Sequence, residues 1–303
     1  MTKLKVTVPA TSANLGPGFD SLGMALAHYD EYELETTSSG VEIQITGEGA
    51  RTAAKDENNL IFRSIQLVFD SVGEKMPGIK LNCKNSIPHG RGMGSSGAAV
   101  AGGVMLAAGL LANKNFTEQQ LLEFATRLEG HPDNVAPALF GGLTIAWVDE
   151  SGPHHKKLTV HRGISPLVLV APNEMSTKLA RSLQPESVPH TDAVFNVSRS
   201  ALLVAALTQS PELMMSATED RLHQNYRSSA MPETSKLISS LRELGHPAVV
   251  SGAGPSVLVL EGDPQNRLEA MDFVKKNFPA WEALALAVDF KGASLEGQSG
   301  SGS

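Results

Sequence analysis

The sequence of 303 residues contains one cysteine, Cys83, so no disulfide can form within the chain. That fits a reducing compartment and leaves stability to the packed core. Cys83 falls in the strand-like run Ile79 to Lys84, where a small buried thiol is the simplest reading. A cluster of basic residues is also missing. Net charge is −7, which argues against nucleic acid as a partner. No long apolar run exists either. The longest, Ala98 to Ala112, is interrupted by Gly102, Gly103 and Gly109 and is shorter than the ~20 residues that span a bilayer. Met1 to Ala10 shows no apolar signal core and no cleavage pattern. A cytoplasmic protein without a membrane segment is expected.

What is present is the composition of a soluble globular protein, with 41% hydrophobic and 19% charged residues. A chain this long is expected to divide into two domains. Alternation predicts strands at Leu4–Val8, Tyr32–Thr36 and Val41–Ile45. Asn59 to Val72 switches to helical spacing, with Leu60, Ile61, Ile65, Val68 and Phe69 on one face and Gly73 as the stop. Thr117 and Gln120 form a capping-box pattern that opens another helix. Leu143–Val148 reads as a strand. The polar stretch Asp149–Gly163 then marks the domain boundary.

The second half begins with an apolar strand, Pro166–Val170. Helical patterns follow at Ser176–Leu183, Asp192–Leu207, Pro211–Arg227 and Pro232–Leu244. Strands at Ala248–Ser251 and Ser256–Leu260, a helix at Arg267–Asn277 and a strand at Leu284–Phe290 complete the pattern of a ferredoxin-like domain. The Gly/Ser-rich end reads as a flexible tail.

Two loops carry the chemistry. Pro88 to Ala98 places Gly90, Gly92, Gly94, Ser95, Ser96 and Gly97 between a strand and an Ala/Leu-rich helix. Glycines let backbone approach a phosphate, and the helix start offers free N–H groups and a positive dipole. The loop lacks the lysine of a Walker sequence and the G-x-S-x-G of a hydrolase elbow. The other loop, Pro9 to Asp20, is dense in turn formers and holds Asn14 and Asp20. His154 and His155 have no Cys or carboxylate at ligand spacing, so no zinc site is expected there.

Asn14 to Asp20, Pro88 to Ala98, and Ser251-Gly252-Ala253-Gly254-Pro255-Ser256 resemble, in order and spacing, the three motifs of the GHMP kinases. The resemblance covers about residues 3 to 291. Three longer runs, Pro9–Asp20, Glu129–Pro137 and Leu222–Arg227, are similar to the homoserine kinases within that superfamily. Gly97 departs from the alanine that many relatives carry.

The resemblance implies an α+β chain of two domains. Residues 1–160 would form an N-terminal α/β domain with a left-handed β-α-β crossover. Residues 161–291 would form the ferredoxin-like domain, and 292–303 a flexible tail. It implies transfer of a phosphoryl group from ATP, with Mg2+, to L-homoserine, and a homodimer. ATP would lie along Pro88, His89, Gly90, Arg91, Gly92, Met93, Gly94, Ser95, Ser96, Gly97 and Ala98, with Ser95 and Glu129 on the metal. Asp20 would take the substrate ammonium, and Arg181 and Arg227 its carboxylate, because arginine forks match carboxylates. Thr177 and Gly254 would line the same site, and Asn14 and Asn134 would hydrogen-bond the substrate. Asn58 and Asn59 are candidates near the adenine.

Asn14, Asn134 and Glu129 are the candidate catalytic residues. An amide cannot accept a proton at neutral pH, so Asn134 implies catalysis by alignment and charge stabilisation. Asp133 is the alternative base, and His131 beside it would order the loop. Another GHMP small-molecule kinase and a ligand-binding member without catalysis remain open alternatives.

Overall fold

The computed structural model describes residues 2–299. The first half comprises β1 (Thr2–Ala13), β2 (Leu22–Thr37), β3 (Val41–Gly47), α1 (Leu60–Ser71), β4 (Gly78–Asn85), α2 (Ser95–Leu110), α3 (Glu118–Glu129), α4 (Pro132–Phe140), β5 (Leu143–Asp149) and β6 (Gly152–Leu158). The second half comprises β7 (Ser165–Val170), α5 (Thr177–Ser182), α6 (His190–Thr208), α7 (Met214–Ala217), α8 (Gln224–Arg227), α9 (Pro232–Glu243), β8 (Ala248–Val250), β9 (Val257–Glu261), α10 (Pro264–Asn277), β10 (Glu282–Ala285) and β11 (Ser294–Ser299).

The first sheet runs β11-β1-β2-β4-β3, with β5 paired to the early part of β2 and β6 paired to β5. Among the described residues only β3 and β4 pair in parallel, which requires the crossover that α1 supplies. The predicted helix is there, and Asn59 fixes its start by accepting from Ile61 N and Phe62 N. The Thr117–Gln120 capping box opens α3 as expected.

The second sheet runs β10-β7-β9-β8, all antiparallel, which is the ferredoxin-like order. Its period-2 pattern sorts side chains onto two faces. Leu167, Leu169, Val257 and Val259 pack with Leu237 and Leu241 of α9 and Val274 of α10. Val168, Val170, Leu258 and Leu260 join the core of the first sheet instead. The two domains therefore share packed apolar surface.

Several boundaries differ from the sequence reading. β1 continues through Pro9 to Ala13 across a register shift at Pro9/Ala10, so the loop shrinks to the residues after Ala13. β2 starts at Leu22 because Leu22–Leu26 is buried on both faces and shows no alternation. α4 begins three residues after Glu129; Pro132 occupies its first turn, where a missing N–H costs nothing. The polar stretch after Asp149 contains β6, a hairpin partner of β5. Pro211–Arg227 is short helical pieces, not one helix. β10 stops at Ala285, and Val288 makes only an isolated bridge to Leu26. The expected loose end is a strand up to Ser299, since β11 pairs with β1 from Thr7↔Ser294 to Thr2↔Ser299. The final residues, 300–303, lie outside the described residues. No described helix is long and apolar enough to cross a membrane.

Candidate active site

Three loops meet where the two sheets abut. Thr11 N donates to Met93 O at 3.0 Å, and Gly252 N donates to Ala13 O at 3.2 Å. Ser251 Oγ, 2.6 Å from Gly92 O and 2.9 Å from Ser12 Oγ, ties the glycine loop to the second domain. Asn14 is the central staple. Its Nδ2 donates to Gly252 O at 2.8 Å, and its Oδ1 accepts from Asp20 N at 3.0 Å. Asn14, Leu15 and Asp20 hold φ of 70°, 52° and 52°. Such left-handed backbone is unfavourable for non-glycine residues and persists where the surroundings enforce it.

The loops enclose a cleft of about 460 Å³. Along one wall, Gly90, Gly92 and Gly94 all take positive φ. A Cβ on Gly92 would stand 2.1 Å from Ser251 O, and one on Gly94 1.9 Å from Thr11 Oγ1. Only glycine fits either position. Gly94 is the N-cap of α2 and no side chain caps the helix, so its first N–H groups face an anion position.

Glu129, the last residue of α3, accepts from Ser96 Oγ at 2.8 Å. Burial raises its pKa above the ordinary carboxylate value, against the opposing Ser96 hydrogen bond. Asp133 is buried and hydrogen-bonded to His131 Nδ1. Burial pulls the His131 pKa down, but the hydrogen bond and charge of Asp133 outweigh it and the net shift is upward. Asn134 Oδ1 accepts from Thr11 Oγ1 at 3.0 Å.

At the other end, Arg181 forks Asp20 across the mouth of the cleft, Nη1 to Oδ2 at 3.1 Å and Nη2 to Oδ1 at 2.9 Å. Beneath them lies Arg227, 2% exposed. Its Nη1 reaches Gly252 O at 3.5 Å, and its guanidinium lies 5.1 Å from the Phe19 ring centroid. No carboxylate pairs with it among the described residues. Burial and then the neighbouring Arg181 lower its pKa, and a buried cation without a counter-ion marks an anion site. Gln184 supports it once its amide is oriented with Oε1 accepting from Arg227 Nε at 2.8 Å.

The GHMP kinases N terminal domain family matches residues 59–142, and the GHMP kinases C terminal family matches residues 198–280. A homoserine kinase of Clavibacter michiganensis subsp. michiganensis is 60% identical over 97% of this chain and 94% of its own. The chain belongs to the homoserine kinase family of the GHMP kinases. Another family member, from Leifsonia xyli subsp. xyli, is 62% identical over 96% of this chain and 91% of its own. The crystal structure of homoserine kinase from Cytophaga hutchinsonii superimposes with a TM-score of 0.86 at 28% identity, covering 97% of each chain. Membership makes the chain an ATP-dependent kinase of α+β fold.

Most residues expected from the homoserine kinase resemblance line this one cleft. Asn14, Asp20, Pro88 to Ser96, Glu129, Asn134, Thr177, Arg181, Arg227 and Gly254 all do. Gly97 and Ala98 do not; they are buried inside α2. Gly97 packs on Asn134, whose Cβ is 3.4 Å from where a Gly97 Cβ would stand, an ordinary contact that would also admit alanine. Ser96, rather than Ser95, meets Glu129. Asn14 and Asn134 both spend amide oxygens on the protein. Asn59 lines the cleft, but its amide caps α1 and donates to Ala54 O. Sequence reasoning missed the supports. His223 Nε2 donates to Gly16 O, 2.7 Å away, and its ring stacks on Phe19. Asp220 caps the turn before α8 through Leu222 N, His223 N and Gln224 N. The Leu222–Arg227 run was the available signal; it is a scaffold that delivers Arg227.

Proposed function

We propose that the chain transfers the γ-phosphoryl group of ATP to the side-chain hydroxyl of L-homoserine, giving O-phospho-L-homoserine and ADP, as a step of threonine biosynthesis. The observation that carries this reading is a single cleft with an uncapped helix start at one end and an unpaired buried arginine at the other. The first suits a polyphosphate and the second a carboxylate.

ATP lies along Pro88 to Ser96, with the N–H groups of α2 on its phosphates. The residues fit a hard divalent cation shared with those phosphates. Mg2+ is such an ion, bound through one or two carboxylates plus substrate phosphates. Ser95 and Glu129 would hold it, with Ser96 Oγ 2.8 Å from the Glu129 carboxylate, and the ion would neutralise charge on the transferring phosphoryl group.

The substrate zwitterion exchanges with the Asp20–Arg181 pair. Its ammonium takes Asp20, and its carboxylate takes Arg181 and Arg227, with Thr177 and Gly254 beside it. One ion pair is given up and three are made. A substrate with a single charge would strand one partner. Asn14 holds the loop that presents Asp20, and the Asn134 amide N–H groups orient the hydroxyl. The hydroxyl oxygen attacks phosphorus as the bond to ADP breaks, and its proton passes late to an oxygen of the transferred phosphoryl group. Alignment and charge stabilisation suffice for such a loose transition state. Cytoplasmic location and a homodimer belong to the same reading and rest on the family.

The test is ADP release with a panel of alcohols, with and without Mg2+. L-homoserine should be the preferred acceptor, and release should require the cation. Turnover of mevalonate or galactose with none of homoserine would overturn the reading.

A further inference from the structure

The end of the cleft away from Arg227 is an apolar slot, lined by Ile45 of β3, Cys83 of β4, Ala53, and Leu60 of α1. A flat heterocycle suits such a slot, and the few polar groups on its walls then decide which one enters. Asn85, the last residue of β4, is one of them. Its Nδ2 donates to Glu48 O at 3.0 Å, which fixes the orientation of the amide. Its Oδ1 is buried and accepts from no protein donor. Among the described residues, the unpartnered buried side-chain atoms that belong to the cleft lining are Asn85 Oδ1 and Arg91 Nε, and only the first is an acceptor. A buried acceptor without a donor is unfavourable, so a ligand that supplies the donor gains accordingly.

The neighbouring amides offer less. Asn59 uses both ends of its side chain within the protein. Asn58 is exposed, so water serves it in the free protein. We propose that Asn85 Oδ1 accepts a hydrogen bond from the exocyclic 6-amino group of the nucleotide base and so selects adenine over 6-oxo purines. Guanine and hypoxanthine present a carbonyl at that position, and two acceptors would face each other. The inference rests on the kinase reading above, which puts the base beyond the glycine loop.

Direct binding separates the two. Titration calorimetry would compare ADP, the diphosphate of purine riboside (which lacks the 6-amino group) and inosine diphosphate, on wild type, Asn85→Ala and Asn58→Ala. Wild type should bind ADP about tenfold more tightly than the purine riboside nucleotide, the scale of one buried hydrogen bond. In Asn85→Ala the two should agree within about twofold, and in Asn58→Ala the tenfold gap should persist. Equal weakening of both nucleotides by Asn85→Ala would make the residue a support for the Glu48 turn and overturn the proposal. So would closure of the gap in Asn58→Ala. Should Asn85→Ala not fold, wild type alone still decides against the proposal if it shows no gap. Failure of wild type to bind ADP at all would overturn the kinase-site reading, and this proposal with it.

Discussion

Glu129 sits at the end of α3 with a pKa raised by burial. Metal binding needs its ionised form, so at limiting Mg2+ turnover should rise with pH through a limb set by Glu129 ionisation. Glu129→Gln should lack that limb and lose Mg2+-dependent turnover far more than homoserine binding. Ser95→Ala should shift the Mg2+ requirement in the same direction; wild-type kcat for both variants at limiting Mg2+ would remove the metal assignment. His131 gives the opposite sign in a stability measurement. Its folded pKa is raised above 6.5, so its pairing with Asp133 stabilises the fold fully below that value. The contribution is lost as pH rises through the folded value. Chemical denaturation of wild type against His131→Gln at several pH values should show this slope in wild type only. Single-residue chemistry was readable in part. A glycine-serine loop announces phosphate, but nothing local in the sequence says that Asn134 spends its oxygen on Thr11, 123 positions away.

The glycine loop and α2 work as one element. Gly94→Ala would place a Cβ against Thr11 Oγ1 at a φ of 73°. It should weaken ATP binding at least tenfold while homoserine binding changes less, a split that equilibrium titration of each ligand would reveal. α3 carries Glu129, and its start depends on the Thr117 capping box. Thr117→Ala should cost ~1 kcal/mol in denaturant unfolding and leave kcat nearly intact, because the lost bonds lie a whole helix away from the site. Elements with a strong period were legible: α1 and the capping box of α3 stand as the residues predict. Those without one were not. Leu22–Leu26 is buried on both faces, and Pro132 and Pro137 disguise α4, though proline suits its first turn. The Pro211–Arg227 region has helical spacing that tertiary contacts break into short turns.

At the scale of the whole molecule, the site exists because two domains share a core and three loops lock across it. β11 adds to this by covering the outer edge of β1, and Leu295 packs on Leu4 and Gly109. Leu295→Ala should lower stability by ~1–2 kcal/mol, the scale of a partly buried leucine, and unfolding should show a lower midpoint. Nothing in a Gly/Ser-rich run signals this strand, since backbone pairing rather than side-chain pattern makes it. The ferredoxin-like order was legible because β7 and β9 read as apolar runs bounded by turns. The cleft between the domains, where Asp20 and Arg181 meet, was reachable only through the family resemblance. The most direct measurement compares kcat/KM for L-homoserine and for 3-aminopropan-1-ol, which lacks the carboxylate, in wild type and Arg227→Ala. Removing one partner of a buried charge-assisted pair costs roughly 2–5 kcal/mol, or about 30- to several-thousand-fold. Arg227→Ala should lose this much with homoserine, Arg227→Lys should recover only part, and the amino alcohol should be a poor substrate that Arg227→Ala hardly worsens. Equal harm to both substrates would make Arg227 a structural residue and contradict a cleft that reads an amino-acid zwitterion.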